Sequence, residues 1–435
     1  MKLLSARIRI PPAGSIARQA GWVFVGQGIT YLLQVLYFVI LARMLGVREY
    51  GVFAGASALV SLATPFSSLG AGMLFMRYVN IDATQRRRHW GNIVLATIFS
   101  NLFLIAALCF TAPHLLNAAS ARVIIPVSIA NCCCGQFIQC VVQVFQCFQM
   151  MRIAAFWSAA LNGLRFAAVV FMMIRFHQAT AIQWAWASAY VTILVAAAGA
   201  IAVTSRFGRP IFEPALLVRN LGEGALYSVS SSTASAYNDL DKTLLSHYGM
   251  NVANGIYTTA YRVIDLATIP VSSVEWATLP RFFREAKSGT RKAIQSAQRV
   301  LPRSIFIGLV ASGSAFVCAP LIPRILGQSF AESALALRWL CLLPAFRAVH
   351  LIAGAALTGA GYQRYRTVAQ ASVVALNLVT NLFWIPRYGW LGAAWASLIS
   401  DGALAIACWS LMLWVRHCAP VREDAPALLR GKEAR

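Results

Sequence analysis

Asn238, Asp239, Asp241 and Lys242 stand together in a serine-rich, otherwise apolar run, and Arg262, Asp265 and Glu275 interrupt the next one. Carboxylate, amide and carbonyl oxygens are what a small hard cation takes as ligands. On a helix, Asp239 and Asp241 are two positions apart and point different ways, so only one can face a cavity squarely. Lys242 is three positions beyond Asp239 and on the same side of the helix. The cluster therefore reads in two ways. It is either an ion-coupling site built from Asn238, Asp239 and Asp241, or an internal ion pair that neutralises itself. Asp401, inside the last apolar run with no charged neighbour on its own helix, is a further ion-coupling candidate.

A second set of residues is cationic. Arg165 lies near the middle of an apolar run with no acid on that run. Arg347 and His350 share one face of another, again without a nearby acid in sequence, and Arg338 precedes them. Arg262 either pairs with Asp265 three positions on or binds an anion itself. A guanidinium presents a fork of donors that matches phosphate. Arg165, Arg262, Arg347 and His350 are accordingly the candidate substrate-binding groups, for an anionic substrate. Snorkelling toward the interface is the alternative, strongest for Arg338 near a run's end.

Other chemistries find no support. There is no phosphate-binding glycine loop of the nucleotide-hydrolysing kind. No acid–histidine–nucleophile set is readable, so no catalytic residue is assigned and the chain is not expected to be an enzyme. Cys132, Cys133 and Cys134 are consecutive in an apolar run, and Cys140 and Cys147 follow. Consecutive side chains on a regular helix cannot cage a metal, and small buried apolar residues are the better reading. Neither a metal nor a cofactor is expected, beyond a coupling Na+ or H+.

The elements that must position these groups are set by hydropathy. Of 435 residues, 59% are hydrophobic and 12% charged, and the mean hydropathy is +0.65. Long apolar runs recur from end to end, which makes an all-α polytopic membrane protein. Twelve spans are expected, near 20–42, 51–76, 90–112, 123–148, 154–174, 182–205, 224–248, 253–279, 304–322, 334–357, 367–385 and 389–414. The formal net charge of +23 is not a nucleic-acid signal, because the basic residues are dispersed among short loops. Counted from a cytoplasmic N-terminus, 26 of the 37 Lys and Arg residues fall on one side, six on the other and five within spans. That asymmetry is the positive-inside pattern and places both termini in the cytoplasm. The resulting organisation is an N-terminal segment 1–19, a six-helix bundle 20–205, a linker 206–222, a second six-helix bundle 223–414 and a tail 415–435.

The halves echo one another. Ile182-Gln183-Trp184-Ala185-Trp186-Ala187-Ser188 resembles Leu391-Gly392-Ala393-Ala394-Trp395-Ala396-Ser397, each opening the last span of its half. Leu45-Gly46-x3-Tyr50-Gly51-x-Phe53 resembles Tyr248-Gly249-x5-Gly255-x-Tyr257, each between the first two spans of its half. Two halves of six spans would be parallel repeats about an axis along the membrane normal.

Three stretches carry a wider resemblance: Ala42-Arg43-x-Leu45-Gly46-x3-Tyr50-Gly51; Leu69-Gly70-Ala71-Gly72 through Arg77; and Asp241-Lys242-x-Leu244-Leu245 running into Gly249, Gly255, Tyr257 and Ala260-Tyr261-Arg262. Over about residues 15–415 the chain resembles bacterial oligosaccharide flippases of the polysaccharide-export family, in the superfamily that also holds multidrug and toxin extruders. The resemblance implies a MATE-like pair of six-helix bundles around a positively lined cavity, in the bacterial inner membrane. It implies transport of undecaprenyl-pyrophosphate-linked oligosaccharide to the periplasmic leaflet by ion-driven alternating access. Partners would be that substrate, membrane lipids and the polysaccharide polymerase and export machinery, with no nucleic acid. By this analogy Asp239 or Asp241 couples the ion, and Arg165, Arg262 and Arg347 meet the substrate's charge. The first span has no acid, unlike many drug-extruding relatives. An ion-coupled drug or metabolite antiporter of the same fold is the alternative.

Overall fold

The computed structural model describes residues 13–176, 178–287 and 289–418. The N-terminal segment 1–19 and the tail 415–435 lie largely outside these. Among the described residues there is no strand. The helices are α1 (Ala13–Ala63), α2 (Ala71–Ile81), α3 (Arg86–Leu115), α4 (Ala118–Arg122), α5 (Ile124–Ser128), α6 (Gln136–Cys147), α7 (Met151–Phe176) and α8 (Ala181–Phe207). They continue as α9 (Pro214–His247), α10 (Asn251–Lys287), α11 (Thr290–Cys318), α12 (Leu321–Leu326), α13 (Ala331–Leu340), α14 (Leu343–Gly359), α15 (Gln363–Tyr388) and α16 (Trp390–Cys418). A π-helical segment, Ile129–Gly135, joins α5 to α6. Non-helical backbone between α8 and α9 is confined to residues 208–213, so much of the expected linker is the first turns of α9.

Eight helical stretches among the described residues are long and apolar enough to cross a membrane, nine if α13 and α14, bent by 45°, count as one. The chain is a multi-pass membrane protein. The shortfall from twelve has two physical sources. Gly26–Ile81 is a single stretch of 56 residues that holds the first two expected spans, bent at Gly46, whose φ of 69° breaks the helix. The expected seventh and eighth spans, in α9 and α10, are long enough but hold the polar and charged residues that lower their hydropathy. Gly249, at the matching point of the second half, has φ 73°. The two positions where the sequence echo puts glycine are thus positions where the backbone enters the left-handed region, which favours a residue without Cβ.

The chain divides into two compact units, Met1–Ser235 and Ala236–Arg435. In the first, Phe75, Trp90, Ile93, Ile138, Val141 and Phe145 are buried together where α2, α3 and α6 meet. Val52, Val60, Leu108 and Ile124 form a separate cluster around α1, α3 and α5. In the second unit, Phe282, Ile294, Ile352, Leu357, Leu404 and Met412 join α10, α11, α14 and α16.

Local chemistry ends and starts these helices. Asp82 caps the turn before α3, accepting from the Thr84 backbone N–H at 3.0 Å and its hydroxyl at 2.6 Å. Those donors, the Thr84 hydroxyl first, hold its carboxyl below the usual range. Thr180 and Gln183 form a reciprocal cap on α8. The Glu49 carboxylate also accepts from the Ala181 N–H at 2.8 Å, where a negative charge complements the helix dipole. The basic run Arg86-Arg87-Arg88 is used structurally. Arg86 donates to the Phe207 carbonyl at 3.3 Å, Arg87 to the Arg209 carbonyl at 2.9 Å, and Arg88 lies 3.5 Å from the Glu213 carboxylate. These contacts strap the segment after α8 onto α3 so closely that a Cβ on Gly91 would sit 2.0 Å from the Ile211 carbonyl oxygen. Backbone cannot yield as a flexible side chain does. Gly91→Ala is therefore expected to cost about 1–3 kcal/mol by overpacking, measured as a lower unfolding temperature in detergent. An unchanged temperature would show that the strap gives way freely.

Candidate functional site

The second unit gathers most of the singled-out charges into one buried network. Helix α9 contributes Asp239, Asp241 and Lys242, spaced so that the first and last share a face. Lys242 Nζ donates to Asp239 Oδ1 at 2.6 Å and to the Asn238 carbonyl at 2.7 Å. Asp241 turns the other way and is 2% exposed. Its Oδ1 accepts from the Lys242 backbone N–H at 2.7 Å, and its Oδ2 from the Tyr257 hydroxyl. Ser397 of α16 lies 2.8 Å from that hydroxyl and 3.4 Å from the same carboxylate oxygen. As the spacing demands, the two aspartates do different work. Asp239 neutralises a lysine on its own helix, while Asp241 ties α9 to α10 and α16.

Tyr261, one turn beyond Tyr257 on α10, links this cluster to the next. The Lys242 ammonium lies 4.5 Å from its ring centroid and the Arg347 guanidinium 5.3 Å. Arg347 Nη2 donates to the Tyr261 hydroxyl at 2.7 Å. A tyrosine suits this position because its ring face attracts cations while its oxygen accepts a hydrogen bond.

Arg347 and His350, on α14, do have acids beside them, contrary to the reading from their own helix. Arg347 Nη1 donates to Asp265 Oδ1 at 3.1 Å, and its Nε lies 3.8 Å from Asp401 Oδ1. His350 Nε2 lies 3.1 Å from the same Asp401 oxygen. Asp401 is consequently not isolated either, and Asp265 serves Arg347. Helices α10 and α16 bring these carboxylates in from distant sequence. Their burial differs: the Asp265 side chain is 42% exposed and that of Asp401 1%. Arg262 is exposed, and the Arg338 guanidinium lies over the Phe316 ring at 5.5 Å.

Arg165 in the first unit stands in a different environment. Its Nη2 lies 3.2 Å from the Ala130 carbonyl, 3.1 Å from Asn131 Oδ1 and 3.1 Å from Thr192 Oγ1. That nitrogen carries two hydrogens, so at most two of the three are strong bonds at once. Its Nε is buried with no hydrogen-bond partner among the described residues. No carboxylate comes within ion-pair distance of it among them. Two of its acceptors belong to the π-helical segment.

The sequence echo between the halves lines up the two sites. The register that sets Ile182 on Leu391 sets Thr192 of α8 on Asp401 of α16. In this register an arginine meets the same position of α8 and of α16. In the second unit that position is a carboxylate; in the first it is a hydroxyl. Reading the sequence alone leaves Tyr257, Tyr261, Ser397, Asn131 and Thr192 without roles. Tyr257 and Ser397 do lie in the echo segments, and Tyr261 in the stretch that carries the wider resemblance. The π-helical segment has no signal of its own in the sequence.

Comparison with known proteins places this arrangement. A search of curated proteins finds no match. Among solved structures, an inward-facing multidrug resistance MATE family transporter of the MOP superfamily is 14% identical, with a TM-score of 0.69 over 91% of this chain and 98% of that one. The lipid II flippase MurJ, in an inward closed conformation, is 11% identical, with a TM-score of 0.72 over 89% of this chain and 87% of that one. A MOP superfamily transporter from Pyrococcus furiosus, described as having a binding pocket of reverse polarity, is 12% identical, with a TM-score of 0.60 over 92% of this chain and 95% of that one. At such identities these likenesses establish the fold, which is that of the MOP exporters. A family model described as polysaccharide biosynthesis protein matches residues 16–285. That is more than half of the chain, and the chain belongs to this family of polysaccharide biosynthesis proteins.

Proposed function

We propose that the protein moves polyprenyl-pyrophosphate-linked oligosaccharide units from the cytoplasmic to the periplasmic leaflet of the bacterial inner membrane, with both of its termini in the cytoplasm. The observation that carries this reading is Arg165, a guanidinium held, among the described residues, by neutral oxygens. An unneutralised cation at membrane depth is costly, and a pyrophosphate offers the complementary charge and the geometry of a forked pair. The pyrophosphate in turn cannot enter hydrocarbon unless its lost hydration is replaced. Membership of a polysaccharide biosynthesis family and the fold shared with a lipid II flippase support a lipid-linked cargo. Arg262, in the second unit, is exposed and stays a candidate for the substrate's charge. Arg347 and His350 hold the network together behind it. The polyprenyl chain stays in the bilayer while the protein alternates access, so no covalent step is involved.

Loss of the gene is expected to trap lipid-linked oligosaccharide on the cytoplasmic leaflet, detected by its protection from an external glycosidase in sealed spheroplasts. Equal exposure with and without the gene would overturn the proposal. An ion-coupled drug or metabolite antiporter is the second reading, favoured by the four carboxylates Asp239, Asp241, Asp265 and Asp401 in one unit. It predicts a cationic or amphipathic cargo, and Arg165 counts against a cationic one.

Coupling to an Na+ or H+ gradient falls to the network around Asn238, Asp239, Asp241 and Asp401. The two α9 carboxylates are expected to separate experimentally. Asp241→Asn turns an acceptor ringed by donors into a partial donor, and should lower stability by about 1–3 kcal/mol. Asp239, partly exposed and ion-paired, should alter the ion dependence of export when changed to Asn, with a smaller loss of stability. Thermal unfolding in detergent and export at varied Na+ and pH read the two effects. The opposite assignment, with Asp239→Asn the more destabilising, would reverse these roles.

A further inference from the structure

Helices α15 and α16 are each long and apolar enough to cross a membrane, and α15 packs chiefly on α16. Between them a groove with a volume of about 900 Å³ opens, within the second unit. Its size falls in the range of about 300–1,000 Å³ typical of ligand pockets. The reason for the groove is sequence spacing. Ala369 and Ser372 on α15 and Ala403 and Ala407 on α16 line it, and recur at about one-turn intervals, so side chains too small to fill the seam face one another. One end is different in kind. There Arg364, Tyr365 and Trp414 line it, with the two aromatic rings 5.7 Å apart. Arg364 is exposed and has no ion pair or hydrogen bond among the described residues. Paired aromatics beside a cation are what the boundary between hydrocarbon and headgroups selects.

We propose that this groove binds one acyl chain of an anionic phospholipid, with the phosphate on Arg364. The dimensions choose between lipid classes. From residue 364 to residue 376 of α15 the groove runs for about 18 Å at the helical rise. That is close to half of a hydrocarbon core about 30 Å thick. A groove one leaflet deep accommodates a phospholipid chain, whereas a polyprenyl chain long enough to pass both leaflets overruns it. The charge selects the headgroup, since an exposed guanidinium favours a net-negative lipid over a zwitterionic one. The site is separate from Arg165 and from the buried network, so it does not depend on the cargo proposed above.

The test is lipid retention by the purified full-length protein, read by native mass spectrometry after incubation with phosphatidylglycerol or phosphatidylcholine of identical acyl chains. Wild type should retain phosphatidylglycerol about fivefold better, the factor one basic residue confers at an anionic surface. Arg364→Gln should abolish that preference, lowering phosphatidylglycerol retention about fivefold more than phosphatidylcholine retention. Ala407→Trp, which fills the groove, should reduce retention of both lipids, and Ser372→Trp, at an exposed position on the facing helix, should do the same if Ala407→Trp does not fold. Undiminished preference in Arg364→Gln, or full retention in a folded groove-filled variant, would overturn the proposal. Displacement of phosphatidylglycerol by an equimolar polyprenyl phosphate would overturn it as well, by assigning the groove to the isoprenoid.

Discussion

Arg347→Met is expected to destabilise the protein by about 3–5 kcal/mol, the cost of stripping a buried charge of its partner. The geometry says where that cost falls. Asp265 keeps water over much of its side chain, so it tolerates the loss. Asp401 has a side chain 1% exposed and, among the described residues, is left with His350 as its ion-pair partner, which helps as a cation only when protonated. The Tyr261 hydroxyl also loses its donor at 2.7 Å. A double variant, Arg347→Met with Asp401→Asn, removes both charges and should recover a substantial part of the loss, as neutralised networks do. Thermal unfolding in detergent, run as a double-mutant cycle, measures the coupling. Additive losses would mean that Arg347 and Asp401 do not sense one another, and the network described above would fail.

Arg165→Ala is expected to do the reverse, abolishing export while leaving the fold nearly intact. Its partners are neutral and have other bonds to fall back on: Thr192 Oγ1 donates to the Ser188 carbonyl at 2.6 Å whether or not the arginine is there. A stability change of about 1 kcal/mol, that of an ordinary hydrogen bond, is the expectation. Arg165→Lys keeps the charge but replaces a planar fork by a point donor, and should restore export only in part. Surface polysaccharide measured alongside protein level in the membrane decides this. Full export by Arg165→Ala at normal abundance would remove the main support for an anionic cargo. A collapse of protein level in both variants would show Arg165 to be structural.

These two arginines also show what could be read without coordinates. The lack of an acid beside Arg165 was legible, since none stands on its own helix and none of the described residues pairs a carboxylate with it. Arg347 was not. Its acid partner Asp265 lies 82 positions away, and His350 meets Asp401 across 51, whereas helical periodicity relates only residues three or four apart. The Asp239–Lys242 pair falls within that reach and was legible for the same reason. The bundle itself was legible because a bilayer imposes a length and an apolarity on every crossing. Crossings bent at a glycine or diluted by buried charge evade a hydropathy count, which explains why α1, α9 and α10 needed loop charges and repeat echoes to be recognised. The π-helical segment beside Arg165 could not have been anticipated, because one extra residue per turn leaves the apolar pattern of so short a segment unchanged.

The register that pairs Thr192 with Asp401 has an evolutionary corollary. By that register the two halves hold matching recesses of different electrical character: one quenches its own cation, while the other leaves it among neutral oxygens. A carboxylate acquired at position 192 would make the first half's recess mimic the second's. Descendants of such a chain could thereby come to tolerate passengers of the opposite sign without any helix being rebuilt.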